Sequence, residues 1–294
     1  MNPRRPDAAS PAVQATEVPL TEEARALRRD ILEALHCTGG GHYGGSLSVI
    51  DVLLTLYRRQ LRVSPRAPRH LERDRLILSK GHAAIALYAV LRRLGYFEEP
   101  LASYAAFGSP LEGHPDMLRL PGVDCSTGSL GQGLSVGLGA ALALRSLALA
   151  GAPRVWVVLG DGECQEGQVW EAAMLAAQQQ AGHLHAVVDV NRFQEWGVSP
   201  PPGAPAAPVV PVQALAAKWR AFGWRVLECD GHDLPALQRA CAELAEGAAV
   251  AAPAVLLAHT VKGKGVPMIE ADPPRFHCCA VTDAEHRLLL ESLA

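Results

Sequence analysis

Two side chains that carry oxygen ligands follow consecutive apolar segments of the chain. Gly160-Asp161-Gly162 follows the apolar run 154–159, and Asn191 follows the next run, 185–190. The 28 residues between Gly162 and Asn191 are enough for one crossover helix. We therefore expect neighbouring parallel strands whose carboxyl ends hold Asp161 and Asn191 side by side. Such oxygens suit a hard divalent cation, and the glycines around Asp161 let a phosphate approach the backbone, so the pattern predicts a cation and phosphate site.

Apolar strand-like segments alternate with helical segments along the chain. This alternation predicts the strands and helices that position Asp161 and Asn191. Continuous apolar strands alternating with helices are typical of a parallel sheet that is covered on both faces. The sequence thus predicts one α/β domain, a three-layer parallel sheet with helices on both faces. Glycine-rich residues 39–45 are predicted as a turn, and proline-rich residues 198–211 as an inserted loop. The predicted strands are Arg75–Ser79, Arg154–Leu159, His185–Val190, Trp224–Glu228 and Ala254–His259, and the predicted helices are Thr21–His36, Ser48–Leu61, His82–Gly95, Leu134–Leu149, Val169–Gln180, Val212–Phe222 and Leu234–Ala245.

Composition and charge exclude several classes of partner. The 294 residues carry 27 Lys and Arg against 30 Asp and Glu, a net charge of −3, so we expect no nucleic-acid partner and no membrane partner. The apolar stretch 130–152 contains Arg145 and several glycines, which favours a buried helix over a membrane span. Seven cysteines without C-x-x-C spacing predict reduced thiols and a cytoplasmic protein. Residues 1–20 are predicted as a flexible leader and residues 21–294 as the domain.

Several motifs, in the same order along the chain, resemble the transketolase family of thiamine diphosphate enzymes. Gly160-Asp161-Gly162 with Asn191 is similar to the family's thiamine diphosphate motif. The resemblance is collinear from about residue 20 to residue 270, and it implies the diphosphate-binding (PP-type) thiamine diphosphate fold. The other matching segments are Gly41–Ser48, Leu78–Ala83, Gly113–Pro115, Ser126–Gly133, Glu163–Ala172, Asp230–Asp233 and His259–Gly265.

The resemblance implies roles for individual residues. Asp161 and Asn191 would bind Mg²⁺ or Ca²⁺ through their side chains, and Phe193 through its carbonyl oxygen. The implied catalytic residues are His42 and His114, which would contact the oxygens of a ketose, and His82 and His277, which would flank the diphosphate. Histidine suits proton transfer to sugar oxygens near neutral pH. Residues 128–130 would lie beside the aminopyrimidine, and Glu166 in a network between two cofactors at a subunit interface. The full implied set of cofactor-binding residues is Gly160, Gly162, Glu163, Gly128, Ser129, Leu130, His82, Glu166, Asn191 and His277.

The resemblance also implies a partner subunit. In full-length transketolases a pyrimidine-binding domain and a C-terminal domain follow this one, and the glutamate that activates the cofactor lies in the pyrimidine-binding domain. We therefore expect the N-terminal subunit of a split transketolase that is active only with a separate C-terminal subunit. The expected assembly is a hetero-oligomer, a heterotetramer by the family pattern. Its expected reaction is transfer of a two-carbon ketol unit from a ketose or ketose phosphate to an aldose.

Three departures from the family pattern leave the substrate open. Tyr43 follows His42, Glu195 stands where an apolar residue is usual, and Cys278-Cys279 replaces a Gly-Lys pair after His277. A specialised sugar, such as a sulfo-sugar or an amino sugar, fits these departures as well as a pentose phosphate does. The alternatives are an α-type subunit of a 2-oxo acid dehydrogenase, a deoxyxylulose-type synthase and a non-catalytic homologue.

Overall fold

The computed structural model describes residues 18–194, 214–246 and 251–293, and a parallel sheet lies at its centre. Its strand order is β1-β2-β3-β5-β4, and all four pairings are parallel. The middle strands are almost wholly buried, which explains their unbroken apolar sequences. The strands are β1 (Arg75–Leu78), β2 (Val155–Gly160), β3 (Leu184–Val190), β4 (Arg225–Asp230) and β5 (Ala254–His259).

Helices cover both faces of the sheet and confirm the predicted three layers. They are α1 (Leu20–Cys37), α2 (Tyr43–Thr55), α3 (Ala84–Arg93), α4 (Gln132–Ser146), α5 (Gly167–Gln178), α6 (Leu215–Ala221), α7 (Leu234–Glu246), α8 (Pro267–Ala271) and α9 (Asp283–Glu291). On one face α1, α2, α3 and α7 pack over alternate strand residues such as Trp156 and Val158. On the other face α4, α5 and α6 pack over Val155 and Val157. None of the described helices is long and apolar enough to cross a membrane.

Helix α2 begins earlier than the sequence predicts. We expected residues 39–45 to form a turn, but α2 starts at Tyr43 and includes Gly44 and Gly45. Every residue of α2 is buried, so packing outweighs the low helix propensity of glycine. A Cβ atom on Gly44 would lie 2.7 Å from the Cγ atom of Lys262, so the close approach of this side chain requires glycine.

Two short helices near the end of the described chain were not predicted. Helix α9 follows a capping box, in which the Thr282 side chain accepts from the Glu285 amide and the Glu285 side chain accepts from Thr282. The pattern Thr282-x-x-Glu285 is a recognised helix-start signal and was available in the sequence. The predicted leader lies largely outside the described residues, as do the predicted loop 198–211 and Glu195. These expectations stay predictions.

Candidate cofactor site

The carboxyl ends of β2 and β3 bring Asp161 and Asn191 together. Gly160 pairs with Asp189 in the sheet, and the Asp161 amide donates to the Asp189 carbonyl oxygen at 3.2 Å. The Arg192 amide, directly after Asn191, donates to the Asp161 Oδ2 atom at 2.6 Å. This confirms that the two segments end as neighbouring strands.

The amide of Asn191 is held in one orientation. Its Nδ2 atom donates to Asp189 Oδ2 at 3.2 Å and lies 3.4 Å from Ser48 Oγ. The Oδ1 atom is thereby turned the other way, and it accepts the Phe193 amide at 3.1 Å. An oxygen ligand is thus presented at the strand end, close to the Asp161 carboxylate.

The Asp161 carboxylate is buried, and a nearby positive charge would stabilise its ionised form. Burial, and then the neighbouring Asp189, raise the pKa of Asp161 to about 6, although backbone amides partly counteract this. The Asp161 side chain, the Asn191 amide and backbone carbonyls form a set of hard oxygen donors with a single ionisable side chain. Among the described residues no three His, Cys, Asp or Glu side chains form a metal cluster. A divalent cation here would therefore rely on further oxygens, such as those of a diphosphate.

A buried ion pair between Lys80 and Asp189 stabilises the end of β3. Lys80 and Asp189 are both nearly inaccessible, and the Lys80 ammonium contacts Asp189 Oδ2 while it donates to the Gly45 carbonyl oxygen at 3.0 Å. The hydroxyls of Ser48 and Thr260 also donate to Asp189. Burial alone would raise the pKa of Asp189, but Lys80 and the hydroxyls lower it. Asp189 therefore stays charged without a metal ion and orients Asn191. Sequence reasoning missed both Lys80 and Asp189, although Lys80 lies in a motif that was noted.

Three histidines meet beside the strand ends. The ring centroids of His42 and His82 lie 5.2 Å apart, those of His42 and His277 5.5 Å, and those of His82 and His277 5.9 Å. His42 precedes α2, and His277 is brought to it by an isolated antiparallel bridge between Gly41 and Cys279. His82 and His277, which were predicted to flank one diphosphate, thus lie near each other, and the predicted roles of the three histidines stay predictions.

All three imidazoles are neutral at pH 7. Burial, followed by neighbouring positive groups, lowers the pKa of His42 to about 4 and that of His277 to about 3, and it lowers the pKa of His82 as well. Lys262 is almost fully buried, and its Nζ atom lies 2.7 Å from His277 Nδ1. A neutral imidazole offers one N–H donor and one acceptor, which suits both anion binding and proton transfer.

The fourth predicted histidine, His114, is exposed at the edge of this group. After burial, His114 is the next cause of the low pKa of His42. A Cβ atom on Gly128 would lie 2.9 Å from His114 Cδ2, and Gly128 has a φ of +149°, so this contact depends on glycine. Tyr88 and Tyr104 donate from their hydroxyls to the carbonyl oxygens of His114 and Gly113, at 3.0 and 3.1 Å.

The Glu163 carboxylate accepts hydrogen bonds from three segments of the site. Its buried carboxylate accepts the Gly131 and Gly160 amides at 2.9 and 3.0 Å and the Ser79 hydroxyl. These bonds favour a role in shaping the loops rather than direct contact with a cofactor, and the contact stays a prediction. By contrast Ser129, Leu130 and Glu166 are exposed, and Gly131 packs against Glu166, so these residues share one accessible surface.

Comparisons with known proteins agree with this geometry. Residues 18–293 match the family model described as transketolase, thiamine diphosphate binding domain. The chain is 41% identical over 257 residues to a 6-deoxy-6-sulfo-D-fructose transketolase subunit of Clostridium sp. (strain MSTE9), covering 86% of this chain and 89% of the relative. It is 36% identical over 244 residues to an apulose-4-phosphate transketolase subunit of Phocaeicola vulgatus, covering 83% of each.

Solved structures show the same fold in longer chains. A mutant transketolase from Pichia stipitis superposes with a TM-score of 0.81 at 26% identity, covering 92% of this chain and 40% of that one. The Campylobacter jejuni enzyme gives 0.78 at 26% identity, covering 93% and 42%. This chain therefore spans about two-fifths of those transketolases.

Proposed function

Because the chain belongs to the transketolase family, we propose that it is the diphosphate-binding subunit of a two-component, thiamine diphosphate-dependent transketolase. One observation carries this proposal: the chain covers most of two relatives named as transketolase subunits but only about two-fifths of the solved transketolases. A partner subunit with pyrimidine-binding and C-terminal domains would supply the remainder. The assembly would be a cytoplasmic heterotetramer that transfers a two-carbon ketol unit from a ketose to an aldose.

Asp161, Asn191 and the Phe193 carbonyl would hold Mg²⁺ or Ca²⁺. The fixed orientation of the Asn191 amide and the raised pKa of Asp161 support this assignment, since a cation would restore the carboxylate charge. With one charged side chain, the site would bind metal together with a diphosphate more tightly than metal alone. Gly160 and Gly162 would keep the backbone open beside that diphosphate.

The histidines would donate and accept protons where the sugar reacts. When bound, thiamine diphosphate would supply the nucleophile and the electron sink for cleavage of a carbon–carbon bond. His82 and His277 would flank the diphosphate, while His42 and His114 would contact sugar oxygens. Because burial keeps the imidazoles of His42, His82 and His277 neutral, each of those three rings can donate one proton and accept another near pH 7.

The surface with Gly128, Ser129, Leu130 and Glu166 would meet the aminopyrimidine and the partner. Ser129, Leu130 and Glu166 are exposed in this chain, as expected if another subunit completes the site. The names of the two subunit relatives favour a ketose that ends in a sulfonate or a phosphate, and these two classes are the donors to test first.

The test is calorimetric titration of thiamine diphosphate with Mg²⁺ into this chain, alone and with the polypeptide encoded beside it. We expect tight binding only with that polypeptide, because half of the cofactor site lies on it. Asp161→Ala should abolish binding, whereas Glu98→Ala, at an exposed position after α3, should bind like the wild type.

Activity of this chain alone would contradict the two-component assembly. Absence of cofactor binding under both conditions would instead support the non-catalytic alternative. Ketol transfer from a sulfonated or phosphorylated ketose by the assembled pair would separate a transketolase from a 2-oxo acid dehydrogenase or a deoxyxylulose-type synthase.

A further inference from the structure

Lys262 lies in a loop after β5, residues 260–265, that buried side chains hold at both ends. The Val261 amide donates to His232 Nε2 at 2.8 Å, just before Lys262. The Arg28 Nε atom donates to the carbonyl oxygen of Lys264 at 2.9 Å, just after it. Val261, directly before Lys262, is therefore held by the turn after β4, and Lys264, two residues after Lys262, is held by α1.

Buried polar side chains connect the two sites at which the 260–265 loop is held. His232 Nδ1 lies 2.7 Å from Asp51 Oδ2, and Arg28 bonds the same oxygen at 2.6 Å. The side chains of all three residues are less than a tenth exposed. The contacts of Asp51 with Arg28 and His232 are thus largely protected from competing water.

The hydrogen bonds determine which nitrogen of His232 carries the proton. Because Nε2 accepts the Val261 amide, Nε2 presents a lone pair, and the ring proton lies on Nδ1, facing the Asp51 carboxylate. A carboxylate that fixes the tautomer of an imidazole also fixes its orientation. The acceptor for Val261 therefore depends on Asp51.

The same reasoning applies one step further, at His277. The Lys262 ammonium has only donors, so His277 Nδ1, 2.7 Å away, accepts from it. The proton of neutral His277 then lies on Nε2. If the 260–265 loop moved by about an ångström, this bond would weaken and the tautomer would no longer be selected.

We infer that His232 is a positioning residue: it holds Val261, which places Lys262 on His277 and fixes the His277 tautomer protonated at Nε2. Both ring nitrogens of His232 are already engaged, by Asp51 and by the Val261 amide. The contacts that position Lys262 and His277 are present in the structure whatever the function is. Their importance for ketol transfer rests on the proposed function. Asp51 and Arg28 act in the same chain through His232 and through Lys264.

The experiment reads the tautomer of His277 directly. The full chain is labelled with ¹⁵N-histidine, and long-range ¹H–¹⁵N correlations are recorded at pH 7.5, with His277→Gln used to assign the signal. The wild type should show His277 as the single Nε2–H form. Lys262→Met, which removes the donor, should give a mixture of both tautomers.

Two replacements of His232 separate its two hydrogen bonds. The amide of Gln reaches the position of Nε2 and can still accept the Val261 amide, whereas the shorter Asn reaches only the position of Nδ1, toward Asp51. We expect His232→Asn to give the mixture seen with Lys262→Met, and His232→Gln to retain the Nε2–H form. His259→Gln, at a half-exposed histidine that contacts Glu228, is the matched control and should match the wild type.

The inference is overturned if wild-type His277 is protonated at Nδ1. It is also overturned if His232→Asn leaves the tautomer unchanged while Lys262→Met alters it. These readings need neither cofactor nor partner, so failure of the proposed function would leave them intact. The wild-type measurement alone keeps the inference falsifiable if a variant fails to fold.

Discussion

Lys80 shows how much a buried charged side chain can contribute to the stability of the fold. With Asp189 it forms an ion pair that solvent does not reach, beneath the candidate metal ligands. Lys80→Met would leave the Asp189 carboxylate buried without a counter-ion, and such a loss costs about 3–5 kcal/mol of unfolding free energy. Urea denaturation of the variant measures this cost.

The matched comparison is an ion pair on the surface. Arg93 and Asp30 lie 3.4 Å apart with well-exposed side chains, so Arg93→Met should cost less than about 1 kcal/mol. Lys80→Met combined with Asp189→Asn should recover part of the loss, because the unpaired charge is gone. Equal costs for Lys80→Met and Arg93→Met would show that the buried carboxylate finds another partner.

At the scale of elements, α3 and the turn after it hold the segment that presents His114. Tyr88 and Tyr104 each donate a hydroxyl hydrogen bond to the backbone of residues 113–114. Tyr88→Phe and Tyr104→Phe each remove one bond worth about 1 kcal/mol without changing the packing of the ring. We expect the double variant, in the assembled enzyme, to raise KM for the sugar several-fold and to leave thiamine diphosphate affinity unchanged.

Tyr96→Phe is the control for this pair. Tyr96 is also buried, and its hydroxyl makes no hydrogen bond to any residue that the structure describes. It should therefore leave KM unaltered. An equal loss of cofactor affinity in the double variant would indicate general loosening of the domain rather than displacement of His114.

Sequence periodicity predicted the five strands, because parallel strands that are buried on both faces have continuous apolar sequences. It also placed Asp161 beside Asn191, because chain length between parallel strands restricts the connection. It could not predict the start of α2, where tertiary packing against Lys262 overrides the propensity of Gly44 and Gly45. Nor could it assign His232 or Asp189, because these roles arise from contacts between residues far apart in the sequence.

For the whole molecule, buried histidines make stability depend on pH. Burial, as the first cause in each case, lowers the pKa of His42, His82, His185 and His277 in the folded chain. Between about pH 6.5 and pH 4 the unfolded chain binds protons that these residues do not bind when folded, so stability falls as pH falls. Carboxyl groups whose pKa is raised oppose this partly, since the folded chain protonates them first: Asp30, Asp161 and Glu163.

Urea denaturation at pH 7.5 and pH 5 measures this dependence. The wild type should lose stability at the lower pH, and His277→Gln should lose less. His185→Leu should behave likewise, and it should also be more stable at pH 7.5, because both ring nitrogens of His185 are buried without a partner among the described residues. An unchanged difference between the two pH values in both variants would contradict the prediction.

The bridge between Gly41 and Cys279 has a consequence for synthesis on the ribosome. It joins segments near opposite ends of the sequence, and His42 leaves the ribosome 235 residues before His277. At about 5–20 residues per second, that interval is roughly ten to fifty seconds. Once α3 has been synthesised, the nascent chain holds α1, α2 and α3 but still lacks β2 to β5 and the segment that closes over Gly41. Shielding of those apolar helices by a chaperone during translation would therefore favour correct folding.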